Sequence, residues 1–297
     1  MTVPRSPVCL PNFFILGAGR CGTTSLVLAL NQHPEVFIPG IKEPSFFASS
    51  FQWVQDPTKY VALYEDAGGA TAIGDASHVY LEDPESPRTL QAFFPDARFV
   101  LVFRHPVNRA LGLYAHMVEG GYETHRSFES ALAAEDRRFH SERFRRTCGQ
   151  SFWNYMYFRS GLFGEQVQRY YEHFDRDRFW FTTLDQLINE PTTTMRSLHD
   201  FLGIEPADVE SLPRDGTSKG TRSIALQYAE RRLLRPLARR TGDAGERVRT
   251  SVNRWNRNSV KPTMCSETRA RLHRRFEPDL RLLHDLTGID LLTPRTD

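Results

Sequence analysis

Nine residues, Gly17-Ala18-Gly19-Arg20-Cys21-Gly22-Thr23-Thr24-Ser25, follow directly on the apolar run Phe13-Phe14-Ile15-Leu16. A glycine-rich turn between a strand and a helix aims free backbone N–H groups and the positive helix end at one point, which makes an anion site. Thr23, Thr24 and Ser25 add hydroxyl donors. Gly17 and Gly22 have the spacing of a nucleoside-triphosphate loop, but Thr23 stands where such a loop has its lysine, and the cation is Arg20 instead. A triphosphatase also needs a carboxylate at a neighbouring strand end to hold magnesium. The strongest strand candidate, Arg98–Phe103, runs into Arg104. A cation there points to a second anion site rather than a metal site. Two anion sites without a metal suit a 3′,5′-bisphosphorylated nucleoside better than a triphosphate. Taken alone, the loop also fits a glycine turn that binds nothing.

Elements with strand–helix alternation must position these residues. Strands are predicted at Phe13–Gly17, 70–75, Arg98–Phe103 and 178–183, each short and rich in β-branched or aromatic residues. Helices are predicted at 25–31, from Pro106 through Tyr114 towards Val118, at 127–138 with Ser127 as N-cap, and at 161–174. Two more are predicted at 192–202, closed by Gly203, and at 267–286, closed by Gly288. Such alternation argues for a parallel sheet covered on both faces, with ligands beyond the carboxyl ends of the strands.

The 297 residues carry a net charge of only +2, which does not suggest a nucleic-acid partner. The charge is uneven. Arginines cluster between 214 and 275, either as a solvated helical face or as a local field for an anionic ligand. Cysteines 9, 21, 148 and 265 form no C-x-x-C pair, so neither a zinc site nor a disulfide framework is expected. No apolar run reaches the length of a membrane span, and the segment after Arg5 is a poor signal peptide. No anchor is expected, and a cytoplasmic location is. Only four lysines are present, a bias that hints at a GC-rich bacterial genome.

Further segments, in order over nearly the whole chain, resemble the PAPS-dependent sulfotransferase family, in its heparan-sulfate-type and bacterial branches (PAPS is 3′-phosphoadenosine 5′-phosphosulfate). Arg20-Cys21-Gly22-Thr23-Thr24-Ser25 is similar to its 5′-phosphosulfate loop. Lys42-Glu43-Pro44-Ser45-Phe46-Phe47 matches K-E-x-x-F-F. Gly74-Asp75-Ala76-Ser77-His78-Val79-Tyr80 is similar to G-E-x-[ST]-P-x-Y. Arg104-His105-Pro106-Val107-Asn108-Arg109-Ala110-Leu111-Gly112-Leu113-Tyr114 is similar to R-x-P-x-x-R-A-x-S-x-Y, the 3′-phosphate site. Lys219-Gly220-Thr221-Arg222 is similar to a basic loop over the nucleotide. Asp185-Gln186-Leu187 is similar to its E-D-L segment. Gly112 replaces a serine, Asp75 and Asp185 replace glutamates, and His78 replaces a proline.

The resemblance implies a P-loop-NTPase-like three-layer α/β fold in a single domain over 1–297. Residues 120–153 would be an acceptor-side insertion and 214–265 a basic helical region capping the nucleotide. It implies sulfuryl transfer from PAPS to a hydroxyl or amine of a small-molecule, lipid or carbohydrate acceptor, releasing 3′,5′-ADP (PAP), with no metal required. Glu43 would be the general base, Arg20 would stabilise the breaking bond, and Lys42 would orient Glu43 or a sulfate oxygen. Residues Arg20 to Ser25, Arg104, Gly112, Lys219, Gly220, Thr221 and Arg222 would bind PAPS. Ser77, His78 and Tyr80 would contact the acceptor. His116, two residues beyond Tyr114, is a further acceptor or base candidate. A small-molecule kinase and a non-catalytic nucleotide-binding relative are the competing classes.

Overall fold

The computed structural model describes residues 9–213, 220–258 and 261–292. In chain order the first elements are β1 (Phe13–Gly17), α1 (Thr23–Leu30), β2 (Val36–Phe37), α2 (Pro57–Ala62), β3 (Ala72–Ala76), α3 (Val79–Glu82), α4 (Ser86–Phe93) and β4 (Arg98–Phe103). Then come α5 (Pro106–Glu119), α6 (Phe128–Ala133), α7 (Glu135–Phe139), α8 (Glu142–Thr147), α9 (Phe163–Tyr171), β5 (Phe179–Thr183), α10 (Leu184–Asn189) and α11 (Pro191–Leu202). The last are β6 (Gly220–Thr221), α12 (Ile224–Ala229), α13 (Arg235–Thr241), α14 (Asp243–Asn256), β7 (Arg257–Asn258) and α15 (Ser266–Thr287).

The described residues divide into two compact units. The first takes in 9–105, 162–213 and 278–292; the second takes in 106–161, 220–258 and 261–277. In the first, five parallel strands lie in the order β2-β3-β1-β4-β5. Every residue of β1 and β3 is buried, as a parallel sheet with both faces covered requires. Aromatic side chains fill the layers: the Phe14 ring meets Phe47, Tyr80, Phe94 and Phe99 edge-on or stacked. The N-terminus of α9 is closed by the buried Asp279 carboxylate, which accepts the Gly164 and Glu165 amides at 3.0 and 2.9 Å. Gly164 is glycine because a Cβ there would stand 2.5 Å from the Asp279 carbonyl oxygen.

The predicted strands and most helices are present, with shifted ends. The first helix starts at Thr23 rather than 25, because the glycine turn passes straight into it. The single helix predicted over 127–138 is instead two. Ser127 caps α6 as expected, but the helix yields at Ala134. Glu135 turns inward there and accepts the Phe158 and Arg159 amides at 2.8 and 3.0 Å, so tertiary pairing overrides helix propensity.

In the second unit, the short antiparallel pair β6–β7 accompanies the helices. Its buried centre is the Glu123 carboxylate, which accepts both Arg138 Nη atoms at 2.7 and 2.8 Å and the Tyr157 hydroxyl at 2.6 Å. Burial opposes this charge, and Arg138 outweighs it, holding Glu123 down at about 2. Arg109 is also fully buried and donates to the Ser160 hydroxyl at 2.8 Å.

Candidate functional site

The loop after β1 is built for close backbone approach. Ala18 N–H bonds the Val102 carbonyl of β4 at 2.8 Å, and Cys21 N–H bonds Ala18 O at 3.1 Å. Gly22, the residue before α1, has φ 90°, and a Cβ on it would lie 2.6 Å from Leu184 Cδ1. Gly19 has room for no side chain either, since a Cβ would stand 2.9 Å from the His78 ring. No side chain caps α1. The first-turn N–H groups at Thr23, Thr24 and Ser25 therefore project from the helix end as an anion site would require. Arg20 sits in this loop with φ 68°, a left-handed conformation that costs a non-glycine residue on the order of 1 kcal/mol or more.

Glu43 is brought beside this loop from a different segment. Its N–H bonds the Ala76 carbonyl at the end of β3 (3.0 Å), and its φ is also 68°. Its carboxylate lies between two cations. Lys42 Nζ is 2.9 Å from Oε1, and His78 Nδ1 is in close contact with Oε2. The same Lys42 Nζ reaches Thr23 Oγ1 at 3.5 Å, linking the carboxylate to the first turn of α1. Burial disfavours the Glu43 charge, but His78 and then Lys42 outweigh it and hold the carboxyl well below the usual carboxylate range. For His78, burial lowers the pKa and the Glu43 carboxylate more than reverses this, pushing it up to about 9. At neutral pH the pair is carboxylate and imidazolium.

Behind this pair is a buried hub on β3. Asp75 accepts the hydroxyls of Tyr60 and Tyr80 at 2.9 Å each and of Ser77 at 2.7 Å. Burial pushes Asp75 up to about 6 against these three hydrogen bonds. Ser77 and Tyr80, expected at the acceptor, are both 0% exposed here, and their hydroxyls donate to Asp75. Their hydroxyls also receive the amides of Ser45 (3.0 Å) and Phe47 (3.4 Å), so they fix the Lys42–Phe47 segment from behind. His78 is likewise seated on Glu43.

Arg104 follows β4 in the first unit and is half-buried. Gly112 and His116 lie on α5, both half-buried, in the second unit. Gly220 and Thr221 form β6, and the exposed Arg222 bonds the Arg257 carbonyl through Nε at 3.2 Å. Lys219 falls outside the described residues. Among the described residues no group of three or more His, Cys, Asp or Glu is placed to hold a metal. The His78–Glu43 contact had one sequence signal, a histidine where the family segment it resembles has proline. An open groove of about 430 Å³ begins at Ile41 and is lined by Trp53, Val54 and Leu63 together with Gln55, Asp56 and Lys59. It is tied to this segment, since the Trp53 and Val54 amides bond the carbonyl of Pro44, next to Glu43.

Comparison with known proteins identifies the family. Residues 10–285 match the model of the sulfotransferase domain. Heparan sulfate glucosamine 3-O-sulfotransferase 3B1 of Mus musculus is 26% identical over 200 residues, 66% of this chain and 47% of that protein. The bifunctional heparan sulfate N-deacetylase/N-sulfotransferase 1 of Caenorhabditis briggsae is 25% identical over 236 residues, 73% of this chain and 26% of that protein. The chain thus spans less than half the length of these two curated relatives. Among solved structures, a sulfotransferase from Alicyclobacillus acidocaldarius superposes with a TM-score of 0.71 at 27% identity, covering 96% of this chain and 98% of that one. The parallel sheet flanked by helices is the P-loop-NTPase-like fold expected from the sequence. The chain belongs to the sulfotransferase family.

Proposed function

We propose that this chain transfers a sulfuryl group from PAPS to a hydroxyl or amine of an acceptor and releases 3′,5′-ADP. One observation carries the reading: a carboxylate, Glu43, is held beside the helix end of a glycine-rich anion loop by a lysine that touches both. A group transfer between an anionic donor and a protic acceptor needs those two features side by side.

In this reading the amides of Cys21 to Thr24 hold the 5′-phosphate, and Arg20 faces the bridging oxygen. The acceptor atom attacks sulfur in line, and the bond from sulfur to the bridging oxygen breaks. Glu43 takes the acceptor proton. The two cations on Glu43 make it a weak base in the ligand-free protein, so the acceptor must displace one of them as it binds. Once Glu43 is protonated, the Lys42 ammonium turns its charge towards the departing phosphate. Arg104 anchors the 3′-phosphate with two parallel bonds, Gly112, Lys219, Gly220, Thr221 and Arg222 adjoin the nucleotide, and His116 adjoins the acceptor. Residues 120–153 serve as an acceptor wall and 214–265 as a cap. The open groove of mixed character lined by Ile41, Trp53, Gln55, Asp56 and Lys59 receives part of the acceptor.

Calorimetry with PAP in chelator, together with turnover of Glu43→Gln, tests the reading. PAP should bind without divalent ions. The variant should bind PAP equally and turn over about 10²–10⁴-fold more slowly. Undiminished turnover would remove Glu43 from the chemistry, and binding that needs magnesium would favour a kinase.

A further inference from the structure

Of the arginines between 220 and 258, the catalytic reading names only Arg222. Residues 220–258 hold ten arginines against Glu230, Asp243 and Glu246, a net +7, so the remainder of the chain is −5. The segment is α12, a π-helical turn at Glu230–Leu234, α13 and α14. Part of the charge is spent internally. Arg249 pairs with Glu230 and Glu246, Arg231 lies 3.4 Å over the Tyr122 ring, and Arg232 donates to the Tyr228 hydroxyl. Arg239, Arg240, Arg247 and Arg254 are exposed and pair with no carboxylate among the described residues.

The same helices expose large apolar side chains. Leu233 (67% exposed) and Leu237 (54%) stand four residues apart, and Val248 (57%) and Trp255 (61%) stand seven apart. Each spacing lines its pair along one helical face. Exposed aliphatics and a tryptophan, the latter with Arg222 over its ring at 5.8 Å, beside arginines that lack a carboxylate partner are the makeup of a helix that lies in a membrane interface. A polyanionic glycan or nucleic acid would use the charge but has nothing to bury Leu233, Leu237 and Val248. Pairing of two copies through this surface would set +7 against +7.

We propose that the helical segment 224–256 is a peripheral docking surface for an anionic lipid bilayer. Leu233, Leu237, Val248 and Trp255 enter the acyl boundary, and Arg239, Arg240, Arg247 and Arg254 meet the headgroups. The assignment uses side chains to which the catalytic reading gives no role.

Flotation of the whole chain tests it, using phosphatidylcholine vesicles with and without phosphatidylglycerol. Binding should require the anionic lipid and weaken at high salt. Trp255 emission should shift to the blue on binding, a change missing in Trp255→Phe. The pair Arg239→Gln and Arg240→Gln should lower partitioning about 30-fold. The pair Leu233→Ser and Leu237→Ser should lower it further at any salt. A far-ultraviolet melt checks that each variant folds. Equal flotation with both lipids, no flotation at low salt, retention by heparin alone, or a dimer dissolved by the leucine pair would each overturn the proposal.

Discussion

Replacing His78 with glutamine isolates the charge that the imidazolium places on Glu43. In the folded protein His78 titrates near 9, against an ordinary value of 6.5, because the carboxylate contact outweighs burial. A group whose pKa is raised by folding stabilises the fold fully below its unfolded value, and that contribution disappears as pH climbs through the folded value. The displacement is worth about 3 kcal/mol at roughly 1.4 kcal/mol per unit. Wild type should therefore exceed His78→Gln in urea stability by about 3 kcal/mol at pH ~6, about 1 kcal/mol at pH ~8, and almost nothing from this source at pH ~10. Glu43 titrates far below this window, so it adds no slope of its own. Loss of the ring's packing against Gly19 adds an offset that does not vary with pH. Unfolding midpoints in urea, measured across this range, read the slope directly. A stability difference that stays flat from pH ~6 to ~10 would refute the imidazolium–carboxylate pair and leave His78 as a packing residue.

Three other outcomes are expected. Arg104→Ala should weaken 3′,5′-ADP about 10- to 100-fold while barely altering 5′-AMP, in paired calorimetric titrations; equal losses would count against a separate 3′-phosphate site. Arg138→Leu should destabilise the protein by about 3–5 kcal/mol in urea, because it strands the fully buried Glu123 carboxylate. Gly164→Ala should cost about 1–3 kcal/mol and lower the melting temperature, since the new methyl group would meet a backbone oxygen that cannot rotate away; an unchanged Tm would show that α9 can shift.

Where local chemistry dictates structure, the sequence was legible. Arg98–Phe103 is apolar on both faces and follows a turn, so it could only be a buried strand, and the glycine loop announces the strand and helix on either side of it. The two-residue strand β2 was not foreseen, because Val36-Phe37 is too short to show a period. The break at Ala134 has no local breaker and comes from Glu135 reaching a segment more than twenty residues away. The site divides in the same manner. Contiguous motifs named the loop and Glu43. The clamp on Glu43 joins residues 35 positions apart, and the role of Tyr80 depends on Asp75 being buried beneath it, which no linear pattern reveals.

The strand order has an implication for how such a protein can change. β1 lies at the centre, with β3 on one side and β4 on the other, so the loop carrying Arg20, the turn carrying His78 and the bend carrying Arg104 leave through one edge as three separate chain segments. The segments are not independent of one another: the His78 ring leaves Gly19 no room for a Cβ, and Ala18 N–H is tied to Val102 at the end of β4. A larger side chain at 19 therefore disturbs the turn after β3 as well as its own loop.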